Sequence, residues 1–302
     1  MLDLANRDLE SSLAVGQCAT LACVLEVTAP KPGNVHRGAD FFDASYIDFI
    51  AGAVAIGPHV QAAAEGTKVG AAVLAAVEAT RRVTSTNTNL GTVLLLVPLA
   101  KAASASRDLA ATPEALAQVL ESLQADDARL VYEAIRLARP GGLGQVESGD
   151  MHQAPPGSLL DAMRLAADRD LVARQYVTNF ETVLTAALPW LVQARQAGHS
   201  LADAIVQVQL RLMAAWPDSL IARKCGADMA QQASDRAADV LELGQPGDQL
   251  YLDGLADLDF WLRSDGHRRN PGTTADLIAA GLFVGLLSGQ IRPPFNMQTS
   301  LP

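Results

Sequence analysis

Aromatic residues are scarce: seven Phe, four Tyr and three Trp make up 5% of the 302 residues. Strands draw on aromatic and β-branched side chains, so a β-sandwich or barrel has little material here. Cysteines number three, Cys18, Cys23 and Cys225, too few and too unevenly spaced for a disulfide framework or a CxxC metal pair. No H-E-x-x-H or comparable His/Cys cluster exists, which excludes a zinc site by pattern. Basic residues are outnumbered, 23 against 33 acids, and scattered rather than gathered into a stripe, so the footprint of a nucleic-acid binder is missing. The longest apolar runs, Leu90 to Ala100 and Leu277 to Leu287, are about half of the ~20 residues a membrane span needs and read as buried helix. With Asp3, Arg7, Asp8 and Glu10 at its start, the chain is expected to carry no signal peptide. The expectation is therefore a cytoplasmic protein without a membrane or nucleic-acid partner.

Alanine is abundant, 53 residues, and it has the best helix propensity of any residue. Ser158 with Asp161, Ser200 with Asp203, and Thr273 with Asp276 fit the S/T-x-x-D capping pattern ahead of apolar segments, and Thr112-Pro113 places a cap before a first-turn proline. Gly198 and Gly289 stand where C-terminal glycines belong. These signals predict roughly twelve helices, over 8–28, 43–65, 68–83, 90–103, 113–124, 127–138, 158–168, 170–197, 201–216, 218–243, 255–263 and 274–288, with kinks at Pro58 and Pro189. Val93 to Val97 alone has a strand-like composition, too little for a sheet. The fold class is all-α, and without a composition shift or internal repeat residues 1–302 are expected to form a single multi-helix domain. Loops are expected at 103–112, 139–157, 244–248 and 264–272, the second long enough to suggest function.

Four stretches carry candidate chemistry. Glu26 precedes Pro30-Lys31-Pro32-Gly33-Asn34-Val35-His36-Arg37, where prolines stiffen a helix exit and Lys31, His36 and Arg37 offer donors for an anion; the plainer reading is a Pro-Gly helix terminator. Thr84 to Asn89 puts six small polar residues before an apolar helix, whose N-terminus favours phosphate; an over-long N-cap explains it equally. Asp218-Ser219-Leu220-Ile221-Ala222-Arg223 offers a carboxylate for Mg²⁺ and an arginine for phosphate, or an ordinary N-cap aspartate with a surface arginine. Arg268 to Asp276 sets basic and polar residues at another helix mouth, where Asp276 either enters the site or completes a capping box. The GGxG at Gly141, Gly142 and Gly144 follows no strand, which argues against a dinucleotide fingerprint. The cysteines read as core, His59 and His199 as ordinary, and His152 and His267 as loop residues.

Taken in order, Glu26 with Pro30-Lys31-Pro32-Gly33, Asn87-Thr88 with Gly91, Asp218 with Arg223, and Asn270-Pro271-Gly272 with Ala275-Asp276-Leu277 resemble the triphosphoribosyl-dephospho-CoA synthase family over residues 10 to 290. The resemblance implies an all-α enzyme that displaces adenine from ATP with the 2′-hydroxyl of 3′-dephospho-CoA, making a prosthetic-group precursor. It implies Glu26, His36 and Asp218 as catalytic groups. Phosphate and nucleotide contacts would come from Lys31, Gly33, Asn34, Thr86, Asn87, Thr88, Asn89, Arg223, Asn270, Gly272 and Thr273, and Mg²⁺ ligands from Asp218, Asp276 and Glu26. The chain departs from the family's usual Asn-Thr-His-Lys-Gly at Asn89 and Leu90, from Asp-Thr-Asn at Ser219 and Leu220, and from the first motif's extension at Gly38-Ala39-Asp40. Two alternatives follow: a related nucleotide-dependent transferase of one-carbon cofactor biosynthesis, of tetrahydromethanopterin or methanofuran type, and a Mg²⁺-dependent all-α hydrolase of a nucleotide or ADP-ribose bond. A ligand-binding scaffold without chemistry is the non-enzyme reading. The alanine-rich helical surface makes a homodimer plausible.

Overall fold

A computed structural model describes residues 13–103, 112–139 and 157–300. The early part of the helix expected from residue 8, the glycines at 141, 142 and 144, and His152 lie outside them. Among the described residues fourteen α-helices follow one another and no strand occurs. The first three are α1 (Val15–Thr28), α2 (Tyr46–Ala64) and α3 (Val69–Val83), packed in sequence against one another. At Gly16 a Cβ would sit 2.4 Å from the Gly57 carbonyl oxygen, so α1 and α2 meet backbone to backbone. Helix α2 runs on through Pro58 and is long and apolar enough to cross a membrane; it packs here on α1, α3 and α4.

The two apolar runs become α4 (Leu90–Ala103) and the last helix, α14 (Gly272–Leu287). Both are buried along nearly their whole length, since hydrophobic faces all round suit only a core position. Between them in sequence come α5 (Thr112–Glu121), α6 (Ala125–Ala138), α7 (Leu159–Ala166), α8 (Leu171–Val177), α9 (Leu188–Gln196) and α10 (Leu201–Ala215). Helix α14 lies against α1, α4, α9 and α10, and one large apolar cluster links these elements with α2, α3 and α5 through α8. A second cluster joins α10 to α12 (Ala227–Glu242) and α13 (Gln249–Arg263), with Ile221 of α11 (Ser219–Cys225) inserted among them.

The helix expected over 170–197 is broken. Asn179 and Phe180 take left-handed φ values of 53° and 59°, and a π-helical segment, Val183–Ala187, precedes α9. No glycine or proline marks the break at 179–180. The helix expected over 218–243 divides at Gly226, whose φ of 95° is readily adopted only without a Cβ. The capping box at Ser158/Asp161 forms as the pattern predicts, whereas at Ser200, of the reciprocal backbone pair, only the N-cap bond from the Asp203 N–H to the serine hydroxyl forms. The box expected at Thr273 does not form: α14 begins at Gly272 and Asp276 turns away from Thr273, toward Thr92.

Candidate functional site

Glu26 sits in the last turn of α1, where the helix stops because Pro30 and Pro32 cannot continue it. The following loop is pinned from two sides. Gln209 of α10 donates to the Pro32 carbonyl at 2.8 Å and to Asn34 Oδ1 at 2.9 Å, while Asp259 of α13 accepts from the Gly33 N–H at 2.7 Å. Arg263 donates to the Asn34 carbonyl. Asn34 is thereby fixed beside Glu26 on the wall of a cavity of about 820 Å³.

The loop before α4 supplies the next wall. Thr84 donates to Asp48 at 2.9 Å, Thr80 to Asn89 Oδ1 at 3.2 Å, and Asn87 Oδ1 accepts from the Leu90 N–H at 3.2 Å, capping α4. Thr86, Asn87, Thr88 and Asn89 all line the cavity. Thr88 Oγ1 and Asn89 Nδ2 are buried without a hydrogen-bond partner. Both atoms lie against α2, where a Cβ at Gly52 would sit 2.5 Å from Thr88 Oγ1 and 3.0 Å from Asn89 Nδ2.

Asp276, in the first turns of α14, faces the same space and accepts from Thr92 Oγ1 at 2.6 Å. The absence of a side chain at Gly91 makes room for it, since a Cβ there would lie 2.0 Å from Asp276 Oδ2. Burial pushes the Asp276 carboxyl up to about 7; the Thr92 hydrogen bond opposes this, and the charges of Glu26, Asp218 and Asp170 add to the rise. Burial raises Glu26 as well, against the pull of Lys31. Two carboxyls that repel each other in a buried pocket suit a divalent cation, and Mg²⁺ takes one or two carboxylates together with phosphate oxygens. Among the described residues no group of three or more His, Cys, Asp or Glu side chains could hold a metal.

Arg223, Asn270, Gly272 and Thr273 complete the expected residues on the wall. Arg223 is paired with Asp170 at 2.7 Å, the same aspartate that caps α8, and Lys224 donates to Asn270 at 3.0 Å. Four expected residues are used differently. Lys31 is fully buried and donates to Glu26 Oε1 at 2.9 Å and to the Glu26 and Ala29 carbonyls; with three donors engaged inside the protein it is no phosphate ligand. Gly33 is a packing position, where a Cβ would strike Leu262 at 2.8 Å. The His36 ring accepts from the Gly38 N–H at 3.2 Å away from the cavity wall, and burial, with the charges of Arg263 and Lys31, lowers it to about 4. It is neutral at pH 7 and donates nothing to the cavity.

Asp218 is the fourth. One carboxylate oxygen caps α11, accepting from the Leu220 and Ile221 N–H groups at 2.8 and 3.1 Å. The other accepts from the Thr274 N–H at 2.7 Å and hydroxyl at 2.8 Å, tying α11 to α14. Its oxygens are spent on the scaffold, so the capping reading holds and the metal reading does not. Cys23 lies buried behind Glu26 and Asp276, with a thiol raised far above its usual range, consistent with core rather than nucleophile. Residues that the motifs did not single out also shape the cavity: Thr92 orients Asp276, Asp170 holds Arg223, and Tyr132, Arg139 and Arg169 form a distant wall. They belong to no local pattern, since each is brought in by tertiary packing.

Residues 12–294 match the family described as CitG, ATP:dephospho-CoA triphosphoribosyl transferase. The chain belongs to this family. A crystal structure of an Archaeoglobus fulgidus protein, provisionally assigned as a triphosphoribosyl-dephospho-CoA synthase, superposes with a TM-score of 0.63 at 27% identity, over 80% of this chain and all of that one. No curated protein matches the chain. The triphosphoribosyl transferase family is therefore reached both by the sequence and by the fold, and the all-α architecture expected from composition stands.

Proposed function

We propose that this chain transfers the triphosphoribosyl group of ATP to the 2′-hydroxyl of 3′-dephospho-CoA, releasing adenine. The observation that carries the reading is the convergence of Glu26 and Asp276 with the Thr86–Asn89 helix mouth on one cavity. In the reaction the C1–N bond to adenine breaks, its electron pair leaves with the base, and the acceptor oxygen bonds to C1. Such displacements pass through an oxocarbenium-like centre, which a nearby carboxylate stabilises. Glu26, held by Lys31, is placed to accept the proton of the attacking hydroxyl or to stabilise C1. Asn87, Thr88, Asn89 and the N-terminus of α4 would hold phosphate oxygens, with Arg223 and Lys224 on the opposite wall.

Glu26 and Asp276 are the residues that would hold Mg²⁺ with the triphosphate. The ion neutralises phosphate charge, which matters in a chain of net charge −10. Family membership favours this transfer over the hydrolase and the one-carbon-cofactor alternatives. A single domain, a cytoplasmic setting consistent with three free cysteines, and a homodimer complete the reading.

Chromatographic detection of adenine tests it. Incubation with ATP and Mg²⁺ should release adenine only when dephospho-CoA is added, and Glu26→Gln should lose turnover. Adenine release independent of the acceptor would reject transfer in favour of hydrolysis.

A further inference from the structure

The cavity has two chemically different halves. At about 820 Å³ it stands at the upper end of the roughly 300–1,000 Å³ of ordinary ligand pockets, large enough for two reactants to meet. The half already described is polar and carries the carboxylates. The other half is built by α6, α7 and the start of α8, which pack against one another in order, and is lined by Leu159, Ala162, Met163 and Leu165. Nothing in the displacement of adenine calls on these side chains.

Three polar groups stand among them. Tyr132 is 6% exposed, yet its hydroxyl has no hydrogen-bond partner among the described residues. The hydroxyl is not one of the sealed polar atoms of the described residues, and Tyr132 lines the cavity, so a ligand can reach it. Arg169, between α7 and α8, lies close enough for its charge to oppose the upward shift that burial imposes on that hydroxyl. Arg139, the C-cap of α6, stands on the same wall. Both arginines are exposed, and neither has a carboxylate partner among the described residues. Unpaired arginines beside an apolar trough, in an acidic chain, suit a ligand with an anionic group and a long, mostly apolar arm bearing amides.

We infer that this half is the acceptor-arm subsite: Arg169 and Arg139 grip the diphosphate of the acceptor, the α6–α7 trough takes its pantetheine arm, and Tyr132 donates to an arm carbonyl. The inference rests on the proposed transfer. With the arm there, the acceptor's ribose is directed toward Glu26 and Asp276, while ATP occupies the polar half. Acceptor specificity is then set by α6 and α7, apart from the motif residues.

Steady-state adenine release, with each substrate varied in turn, reads this out. Tyr132→Phe removes a hydroxyl with no protein partner, so its thermal midpoint should match the wild type while KM for dephospho-CoA rises about 3- to 10-fold. Arg169→Glu, at an exposed position, should raise the same KM about 10- to 100-fold. In both, KM for ATP should stay within about twofold. A rise in KM for ATP, or no change in KM for dephospho-CoA, overturns the subsite. Calorimetric titration of dephospho-CoA separates it from the reaction. Arg169-dependent binding by a wild type that releases no adenine would keep the subsite and reject the transfer, whereas adenine release with unmoved KM values would do the reverse.

Discussion

Lys31→Met removes the cation that pairs with the Glu26 carboxylate, and the geometry sets the size of the effect. The ammonium is fully buried, 2.9 Å from Glu26 Oε1, and also satisfies the Glu26 and Ala29 carbonyls. Breaking a buried ion pair by removing one partner costs about 3–5 kcal/mol, because the remaining charge is left uncompensated. Glu26 has an escape: it can take up a proton, and burial already pushes it that way. Loss of Lys31 should therefore appear twice. Chemical denaturation should show a fall of about 3–5 kcal/mol at pH 8, diminishing toward acid as Glu26 becomes neutral. The acid limb of the adenine-release profile should move to higher pH, because the group that must be ionised now holds its proton more tightly. Glu26→Gln in the same background should recover part of the stability, giving a favourable coupling in the double-mutant cycle. An unchanged pH profile together with unchanged stability would refute the pairing, and a pure loss of ATP affinity would restore Lys31 as a phosphate ligand.

Gly91→Ala places a methyl where Asp276 Oδ2 now lies, and the displaced carboxylate should lower kcat at least about 10-fold while helix content by circular dichroism is retained. Asp218→Ala leaves Leu220, Ile221 and Thr274 donors unsatisfied and should destabilise the protein by about 3–5 kcal/mol in denaturant titration; a loss confined to Mg²⁺ affinity would contradict the scaffold role. Because Asp276 is raised from the ordinary 3.8 to about 7, its folded form binds a proton more tightly than its unfolded form. Its contribution is complete below pH 3.8 and is lost as pH rises toward about 7, so unliganded protein should lose stability across that window, and Asp276→Asn should flatten the slope.

Local patterns reported the helices well where a cap acts locally, as at Ser158, but they missed the division at Gly226 inside the expected 218–243 helix. The break at Asn179 and Phe180 left no such trace: two non-glycine residues hold left-handed angles where Phe180 fills the core. The site was legible as a set of stretches, and Glu26, Asn87 and Asp276 do share a cavity. Individual roles were not. Lys31 looks like a surface cation in a Pro-Gly segment until tertiary packing seals it behind Glu26. Asp218 and Asp276 are both acids near helix starts; only the placement of Thr274 and Thr92 decides that one is scaffold and the other faces the cavity. Tyr132, Arg139 and Arg169 follow no motif spacing, since their meeting depends on how α6 and α7 cross.

The opening turns of α14 bind the Asp218 anchor through Thr274 and aim Asp276 at the reactants two residues on. Heat tolerance and turnover are consequently wired through the same few backbone atoms, and an engineer who reshapes that turn must trade one against the other. The solvent-facing rim at Arg139 and Arg169 bears no comparable duty. Retargeting the enzyme to new acceptors should begin there, where sequence can drift without loosening the frame.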